Sequence, residues 1–273
     1  MKKVLSSLTL AACLAMTFVA CKKDVKESDN NQLSESELAQ IKAAGFSTMG
    51  AQRHAEGYLL EGDIIVRQED LSAPRTTPSV VYANEEHYRT TNIVNRSTYP
   101  TIKVRLNNSS ASHEAVFSAA LNEAIRRYNA ESMTIKFQRV TSGANTTVVA
   151  YYQVSNTLGS AGFPTSGGAP YNTVNMNTYH YSTSTSTTNT NYIATIMAHE
   201  LGHCIGFRHT DYMNRAYSCG GAYSNEGAST VGAIHIAGTP TGASANSWML
   251  ACVGSGSNRP FTTADRTALT TVY

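Results

Sequence analysis

Residues 199–211 of the chain read HELGHCIGFRHTD. In this stretch His203 and His209 follow His199 at offsets of four and ten residues, and Glu200 directly follows His199. Residues four apart on an α-helix lie one turn apart on the same face, so the side chains of His199 and His203 can reach a single metal ion. The stretch therefore indicates a metal site on a helix rather than a helix that merely carries several polar residues.

A third imidazole can reach the same ion because of Gly206. Glycine adopts the left-handed conformation that ends a helix and reverses the chain, so a turn at Gly206 would bring His209 back toward the helix. Three nitrogen ligands leave the fourth position of a tetrahedral zinc ion for water, which is typical of a catalytic site. Glu200 is then predicted to take a proton from the zinc-bound water. At 19 Gly and 8 His in 273 residues, chance would add both Gly206 and His209 to HExxH roughly once in five hundred times.

The pattern HExxHxxGxxH resembles the metzincin clan of zinc metalloproteases, and HELGHCIGFRHTD is similar to the dual-action HEIGH metallopeptidases, a bacterial secreted family within it. The resemblance implies one catalytic Zn²⁺, a peptide or protein substrate and an α+β fold. That fold has a twisted mixed sheet, two long helices of which one carries HExxH, and an irregular C-terminal subdomain with a methionine-containing turn below the zinc. SWMLAC (residues 247–252) fits this Met-turn through Met249. Astacins and serralysins have a zinc-assisting tyrosine two residues later, where this chain has Ala251.

A second resemblance lies upstream of the catalytic motif. LEGDI (residues 60–64) is similar to the FxGDI stretch of astacin pro-segments, with Leu60 in place of the phenylalanine. In those pro-segments the aspartate caps the zinc and keeps the enzyme latent, so the resemblance implies Asp63 as a latency ligand. The alternative is that Asp63 is an ordinary β-turn aspartate beside Gly62.

The N-terminus carries an export pattern. Residues 1–20 have two lysines, an apolar run and small residues at the end, which predicts a secretory signal peptide; an uncleaved membrane anchor is the alternative. FVAC, which ends at Cys21, resembles the lipobox of bacterial lipoproteins, with phenylalanine in place of a small aliphatic residue. We therefore expect a lipidated Cys21 and tether over 21–32, a pro-segment-like region and linker over 33–77, and the catalytic domain over 78–273. The predicted location is the cell envelope or exterior, as a bacterial outer-membrane lipoprotein.

The hydrophobic patterns predict how the chain is organised. Residues 33–46 read as a short helix capped by Ser34 or Ser36, and residues 57–71 read as two short strands around the turn that contains Asp63. Apolar spacing predicts a long helix over 112–129 behind a Ser112 cap. The remaining predictions are strands at 101–106, 133–140, 146–154 and 173–177, a substrate-binding edge region at 158–177, a polar loop at 181–191, a buried helix from 191 to 206, and a final helix near 262–273.

Composition limits the other classes of function. The formal net charge is +2 and charged residues make up 15% of the chain, with no cluster of basic residues, so we expect no nucleic-acid partner. Two of Cys204, Cys219 and Cys252 could pair in an oxidising compartment. Asp211 is expected to accept structural hydrogen bonds. The sequence thus predicts a secreted, monomeric zinc endopeptidase; the alternative is a non-catalytic surface lipoprotein that binds glycan or host protein on a metzincin scaffold.

Overall fold

The structure, a computed structural model, describes residues 32–72, 87–107, 110–240 and 243–273. These residues belong to one compact unit. The described part of the chain contains six α-helices: α1 (Glu35–Ala43), α2 (Gln68–Leu71), α3 (Glu114–Asn129), α4 (Thr187–Cys204), α5 (Ala216–Cys219) and α6 (Thr263–Val272). Within the same ranges, none of the helices combines the length and the apolar character needed to cross a bilayer.

Ten strands accompany these helices: β1 (Gln52–His54), β2 (Gly57–Leu60), β3 (Ile64–Val66), β4 (Tyr88–Arg89), β5 (Thr101–Asn107), β6 (Lys136–Arg139), β7 (Thr146–Tyr151), β8 (Gly159–Ala161), β9 (Thr173–Asn177) and β10 (Ile234–His235). Eight of them form one mixed sheet in the order β1-β2-β3-β8-β9-β7-β5-β6, while β4 and β10 form a separate pair. The α+β class and the mixed sheet predicted from the sequence are confirmed.

The outer side of β8 is covered by the N-terminal part of the chain. Strand β8 runs antiparallel to β9, and on its other side β3 pairs with it in parallel, with Ile64 opposite Ala161. The backbone N–H of Ala161 also donates to the carbonyl of Asp63 at 3.0 Å. The region that the sequence predicted as a substrate-binding edge is therefore paired with residues of the expected pro-segment.

The core lies between the sheet and the two long helices. Helix α3 turns the apolar face predicted from its sequence inward, and Phe117, Leu121 and Tyr128 are fully buried. Helix α4 is buried along most of its length, because apolar side chains occur on all of its sides. The hydroxyl of Tyr128 donates to the carbonyl of Ala198 at 2.6 Å, which joins α3 to α4 just before the catalytic motif.

Several predicted boundaries are wrong. The strands predicted over 133–140 and 146–154 run only over Lys136–Arg139 and Thr146–Tyr151, and Gln68–Leu71 forms a helix within a stretch predicted as two strands. Helix α4 begins at Thr187, inside the stretch predicted as a polar loop, because Ser186 caps it by accepting from the backbone N–H of Asn189. Ser112 does not cap α3; it lies in a 3₁₀ turn, and His113 occupies the cap position without a side-chain bond. The cap predicted for the first helix is confirmed, since of the two candidates Ser34 closes a capping box with the third residue of α1.

Candidate active site

Helix α4 carries the first three residues of the motif. His199, Glu200 and His203 are all buried in its last two turns. The Nε2 atoms of His199 and His203 lie 3.0 Å apart, as the four-residue spacing predicts. The last turns of α4 thus direct two imidazoles at one point.

The helix ends as the sequence predicts. Gly206 has a φ of +104°, and the backbone N–H of Phe207 donates back to the carbonyl of Gly202 at 2.9 Å. A side chain at position 206 would also be crowded, since a Cβ there would lie 3.0 Å from the carbonyl oxygen of Asn92. This turn brings His209 beside the helix, and its ring centroid lies 4.9 Å from that of His203.

The three imidazoles face one another through Nε2. Their Nδ1 atoms each meet an acceptor: the carbonyl of Trp248 for His199 at 2.8 Å, the carbonyl of Phe207 for His203 at 2.8 Å, and Glu226 Oε1 for His209 at 2.7 Å. With Nδ1 donating, the Nε2 lone pairs are directed at a common point. The predicted convergence of three histidines is therefore present in the fold.

Asp63 supplies a fourth donor atom at this point. Its Oδ2 lies 3.1 Å from His209 Nε2 and 3.4 Å from His199 Nε2. The four donor atoms of Asp63, His199, His203 and His209 all lie within 4.8 Å of one another. Asp63 is the last residue of a tight turn, Glu61-Gly62-Asp63, between β2 and β3. Glu61 adopts a left-handed φ of +56° in this turn. The turn thus projects Asp63 at the histidines.

These residues suit a zinc ion. Ligands at about 2.0–2.1 Å from a tetrahedral zinc lie roughly 3.3 Å apart, close to the Nε2–Nε2 and Nε2–Oδ2 separations observed here. Two buried carboxylate oxygens, Glu200 Oε2 and Asp63 Oδ1, have no hydrogen-bond partner among the described residues. Unsatisfied buried carboxylate oxygens beside converging imidazoles are the arrangement that a bound cation and a water molecule would satisfy.

The charges of the site favour a cation. Burial alone would raise the pKa of Asp63, but His209 and the hydrogen bonds from His199 and His209 hold this pKa well below its usual value. Burial alone would lower the pKa of His209, yet the carboxylates of Asp63 and Glu226 raise this pKa well above the ordinary histidine value. The carboxylates that favour a proton on His209 favour Zn²⁺ there for the same electrostatic reason.

Glu200 lies beside the histidines that converge at the end of α4. Burial, and then the nearby charge of Asp63, raise its pKa well above the ordinary value for glutamate. It is not one of the four residues whose donor atoms converge. A carboxylate with raised pKa beside a metal-ligand cluster is typical of a general base.

A buried charge network around His209 was not predicted from the sequence. Glu226 accepts from His209 Nδ1 and, at 2.6 Å, from Arg215 Nη1, while its Oε2 lies 3.5 Å from Arg208 Nη2. Burial alone would raise the pKa of Glu226, but His209 and the two arginines lower it to about 2. Glu226 is an isolated acid in a Gly- and Ser-rich stretch, so no local pattern identifies it.

The same arginines hold the N-terminal segment. Arg208 Nη2 lies 3.4 Å from Glu61 Oε2, and Arg215 Nη1 donates to the backbone carbonyl of Glu61. Both side chains of the Arg208–Glu61 pair are buried, so the pair is poorly screened by solvent. The turn that contains Asp63 is therefore fixed to the residues that follow the third histidine.

The predicted Met-turn packs against α4, where Met249 contacts Gly202. Met249 is fully buried, and a Cβ added at Gly202 would lie 2.6 Å from its Sδ. A larger residue at position 202 would have to displace Met249 or Trp248, whose Nε1 would lie 3.1 Å from the same Cβ. Asp211 accepts from the backbone N–H of Ala251 at 2.9 Å and from the hydroxyl of Ser218 at 2.6 Å, so it has the structural role that was expected.

Of the three cysteines expected in the mature protein, two form a disulfide and one is a core residue. Cys219 and Cys252 form a disulfide that joins α5 to the Met-turn segment. Cys204 is free and fully buried, and it contributes to the hydrophobic core rather than to the metal cluster. The predicted lipidation residue, Cys21, and the predicted signal peptide over 1–20 lie outside the described residues.

A cleft of about 640 Å³ opens beside the histidines. Its lining comes from β8, the N-terminal part of the HExxH segment, the Met-turn segment and the turn around Asp63, and it includes Gly159, His199, Glu200 and Leu250. Ala251, which stands where astacins and serralysins have a tyrosine, also lines it. The cleft is large enough for several residues of a peptide.

The chain matches one family profile over most of its length. The sequence profile of the family described as dual-action HEIGH metallo-peptidase matches residues 59–273, which includes all of the site residues described above. Among solved structures, the structure of myroilysin matches with 20% sequence identity and a TM-score of 0.40, covering 66% of this chain and 97% of that chain. No match was found among the curated proteins.

Proposed function

The chain belongs to the dual-action HEIGH metallopeptidase family and is a zinc metalloendopeptidase, and from this premise we propose which residues perform the reaction. His199, His203 and His209 hold the Zn²⁺, and Glu200 is the general base. The observation that carries this assignment is the convergence of the three Nε2 atoms, with His199 and His203 only 3.0 Å apart, next to a buried Glu200 oxygen that has no partner among the described residues.

When bound, the zinc ion polarises the scissile carbonyl and makes water more acidic. The side chains of the protein transfer the proton and orient the zinc ligands. Glu200 accepts the proton of the attacking water on its carboxylate and then delivers it to the nitrogen of the leaving amine. The burial that raises the pKa of Glu200 makes it a stronger base toward that water. The hydrogen bonds at Nδ1 hold each imidazole ring in one orientation throughout.

The direct test removes Glu200 without removing the histidines. Glu200→Ala is expected to retain one zinc ion per chain and to lose peptide hydrolysis by at least roughly a hundredfold, because general-base catalysis typically contributes that much. His203→Ala is expected to lose both zinc and activity. Both forms are compared in the Asp63→Ala background described below. Hydrolysis of casein at the same rate with and without Glu200 would contradict the mechanism, whereas zinc binding without any hydrolysis by Asp63→Ala would favour a binding protein.

We also propose that Asp63 keeps the full-length chain latent. Three observations support this: the Asp63 Oδ2 lies 3.1 Å from His209 Nε2, β3 pairs with β8 beside the cleft, and Arg215 holds the backbone of Glu61. A carboxylate in this position competes with water and substrate for the zinc. Removal of residues 22 to about 75 is therefore expected to raise activity, and cleavage in the linker 72–79 would free the catalytic domain from its lipid anchor.

Latency is tested by comparing two aspartates of the same segment. Asp63→Ala is expected to raise hydrolysis by the full-length protein roughly tenfold or more, since a charged contact of this kind stabilises by about 1.5–3 kcal/mol. Asp70→Ala is the matched control, because Asp70 lies in α2 and is not one of the converging donors. Equal activity of Asp63→Ala and the wild type would refute the latency proposal and leave the zinc mechanism intact.

Export and anchoring are further parts of the proposal. The chain is proposed to be a monomeric lipoprotein of the cell envelope, attached through Cys21, on the support of the export pattern in its first 21 residues. Labelled palmitate should be incorporated into the wild type and not into Cys21→Ser. If both forms fractionate with the soluble proteins, the anchor is absent.

A further inference from the structure

Arg259 is an unpaired cation in the wall of the cleft. It lines the same cavity as Thr195, Ile196, His199, Leu250 and Val253. Apart from Arg215 and Arg259, none of the residues that line the cavity is a lysine or arginine. Arg215 is already satisfied, because it contacts Glu226 and the carbonyl of Glu61. Arg259 contacts no carboxylate among the described residues.

The environment of the Arg259 guanidinium shows how much of it is free. Nη1 donates to the carbonyl of Cys252 at 3.0 Å, and among the described residues no carboxylate lies within 4 Å of the guanidinium. The two acidic residues that influence it electrostatically, Asp211 and Asp265, use their oxygens elsewhere. Asp211 accepts from Ala251 and Ser218, and Asp265 accepts from the His87 ring and the Ser247 hydroxyl. Donor groups of Arg259 therefore remain for a ligand.

The position of Arg259 is fixed relative to the zinc ligands. Its backbone N–H donates to Thr195 Oγ1 at 3.0 Å, and its carbonyl accepts from Arg127 Nη1 at 3.4 Å. Thr195 lies four residues before His199, which is one turn of α4. Arg259 therefore lines the same cavity as His199 and Glu200, together with the apolar side chains of Ile196 and Val253.

We propose that Arg259 is a specificity-determining residue that binds the carboxylate of an aspartate or glutamate side chain flanking the scissile bond, so that the substrates are acidic peptides and proteins. A guanidinium pairs with a carboxylate through two parallel hydrogen bonds. Burial lowers the pKa of Arg259, which shows that its charge is partly desolvated and gains from a counter-ion. This inference rests on the proposed function, because it concerns the same cleft.

Peptide binding tests the inference independently of catalysis. The protein is the full-length, zinc-loaded chain with Glu200→Ala, which prevents turnover, and Asp63→Ala, which removes the competing carboxylate. The probes are N-acetylated, C-amidated hexapeptides that carry Asp, Asn, Glu or Gln at either of the two central positions. We expect the acidic peptide to bind roughly 10- to 100-fold more tightly than its amide counterpart at one of these positions.

Variants at position 259 assign the preference to the guanidinium. Arg259→Gln should reduce the ratio of acid to amide affinity to within about twofold, and Arg259→Lys should retain part of it. Arg266→Gln is the matched control, because Arg266 is an exposed arginine of α6 that does not line the cleft, and it should keep the wild-type ratio. If Arg259→Gln fails to fold, the ratio for the unmodified Arg259 protein is measured at rising salt and should decline through screening.

The contrary results are distinct. A ratio near one, an unchanged ratio in Arg259→Gln, or a preference that appears only with a free C-terminal carboxylate overturns the inference. Cleavage-site sequencing with the Asp63→Ala chain that keeps Glu200 separates this inference from the proposed function. Hydrolysis without acidic enrichment beside the cut bond refutes the role of Arg259 alone. Acid-selective binding that depends on Arg259, without any hydrolysis, refutes the proposed function and supports the inference.

Discussion

Replacing Glu226 by glutamine tests whether a residue far from the motif in sequence orients the third zinc ligand. The substitution keeps the size of the side chain and removes its charge. In the structure the carboxylate is fully buried, 2.7 Å from His209 Nδ1 and 2.6 Å from Arg215 Nη1. Both donors meet the same oxygen, Oε1, so the amide oxygen of glutamine can still accept from them, but the neutral amide no longer strengthens the imidazole as a ligand and its NH2 group would face Arg208.

The magnitude follows from these contacts. Loss of a carboxylate that supports a ligating histidine typically lowers metal affinity 10- to 100-fold, or about 1.4–2.7 kcal/mol. Breaking a buried ion pair costs about 3–5 kcal/mol of folding stability. We expect the loss of folding stability to lie near about 3 kcal/mol, because Arg208 keeps hydrogen bonds to the carbonyls of Gly227, Ala228 and Gly232.

Zinc affinity is measured by competition with a chromophoric chelator, and stability is measured separately by thermal melting of the zinc-free protein. Glu123→Gln is the control, because Glu123 is a partly exposed acid that pairs with Arg126 and Arg127 on α3. If Glu226→Gln bound zinc within twofold of the wild type while melting at a lower temperature, Glu226 would be purely structural and the reasoning would be refuted.

Three further predictions concern the frame around the site. Gly206→Ala forces an alanine into a φ of +104° and should destabilise the protein by about 1–3 kcal/mol, read as a lower melting temperature. Gly202→Ala places a Cβ against Met249 Sδ and should cost about 1–3 kcal/mol together with part of the zinc affinity; unchanged melting and zinc binding would show that the Met-turn yields easily. Replacing both Cys219 and Cys252 by serine should destabilise by roughly 3–4 kcal/mol, from the 33-residue separation that the disulfide closes, in denaturant titrations.

The part of the site that depends on local spacing could be predicted from the sequence. The four-residue interval between His199 and His203 fixes their common face, and Gly206 has the positive φ that the turn to His209 requires. The buried faces of α3 and the strand at Thr173–Asn177 were also predicted, because their apolar periods are regular.

The rest depends on contacts between distant parts of the chain. Glu226 and Arg259 carry no local pattern, and their roles come from where the Gly- and Ser-rich C-terminal region folds back on α4. The Cys219–Cys252 pairing could not be chosen from three cysteines for the same reason. The approach of Asp63 to the histidines followed from a resemblance rather than from spacing, since the two lie far apart in sequence. The start of α4 was missed because threonine and asparagine fill its first turn, where the Ser186 cap and not apolar periodicity sets the boundary.

X-ray absorption at the zinc edge tests the central claim most directly, in the full-length wild type and in His209→Ala. The wild type is predicted to bind one zinc ion with three imidazole nitrogens at about 2.0–2.1 Å, and His209→Ala is predicted to show two imidazoles and weaker binding. A wild-type spectrum with fewer than three imidazole ligands, or one that is the same in His209→Ala, would contradict the assignment of the metal site.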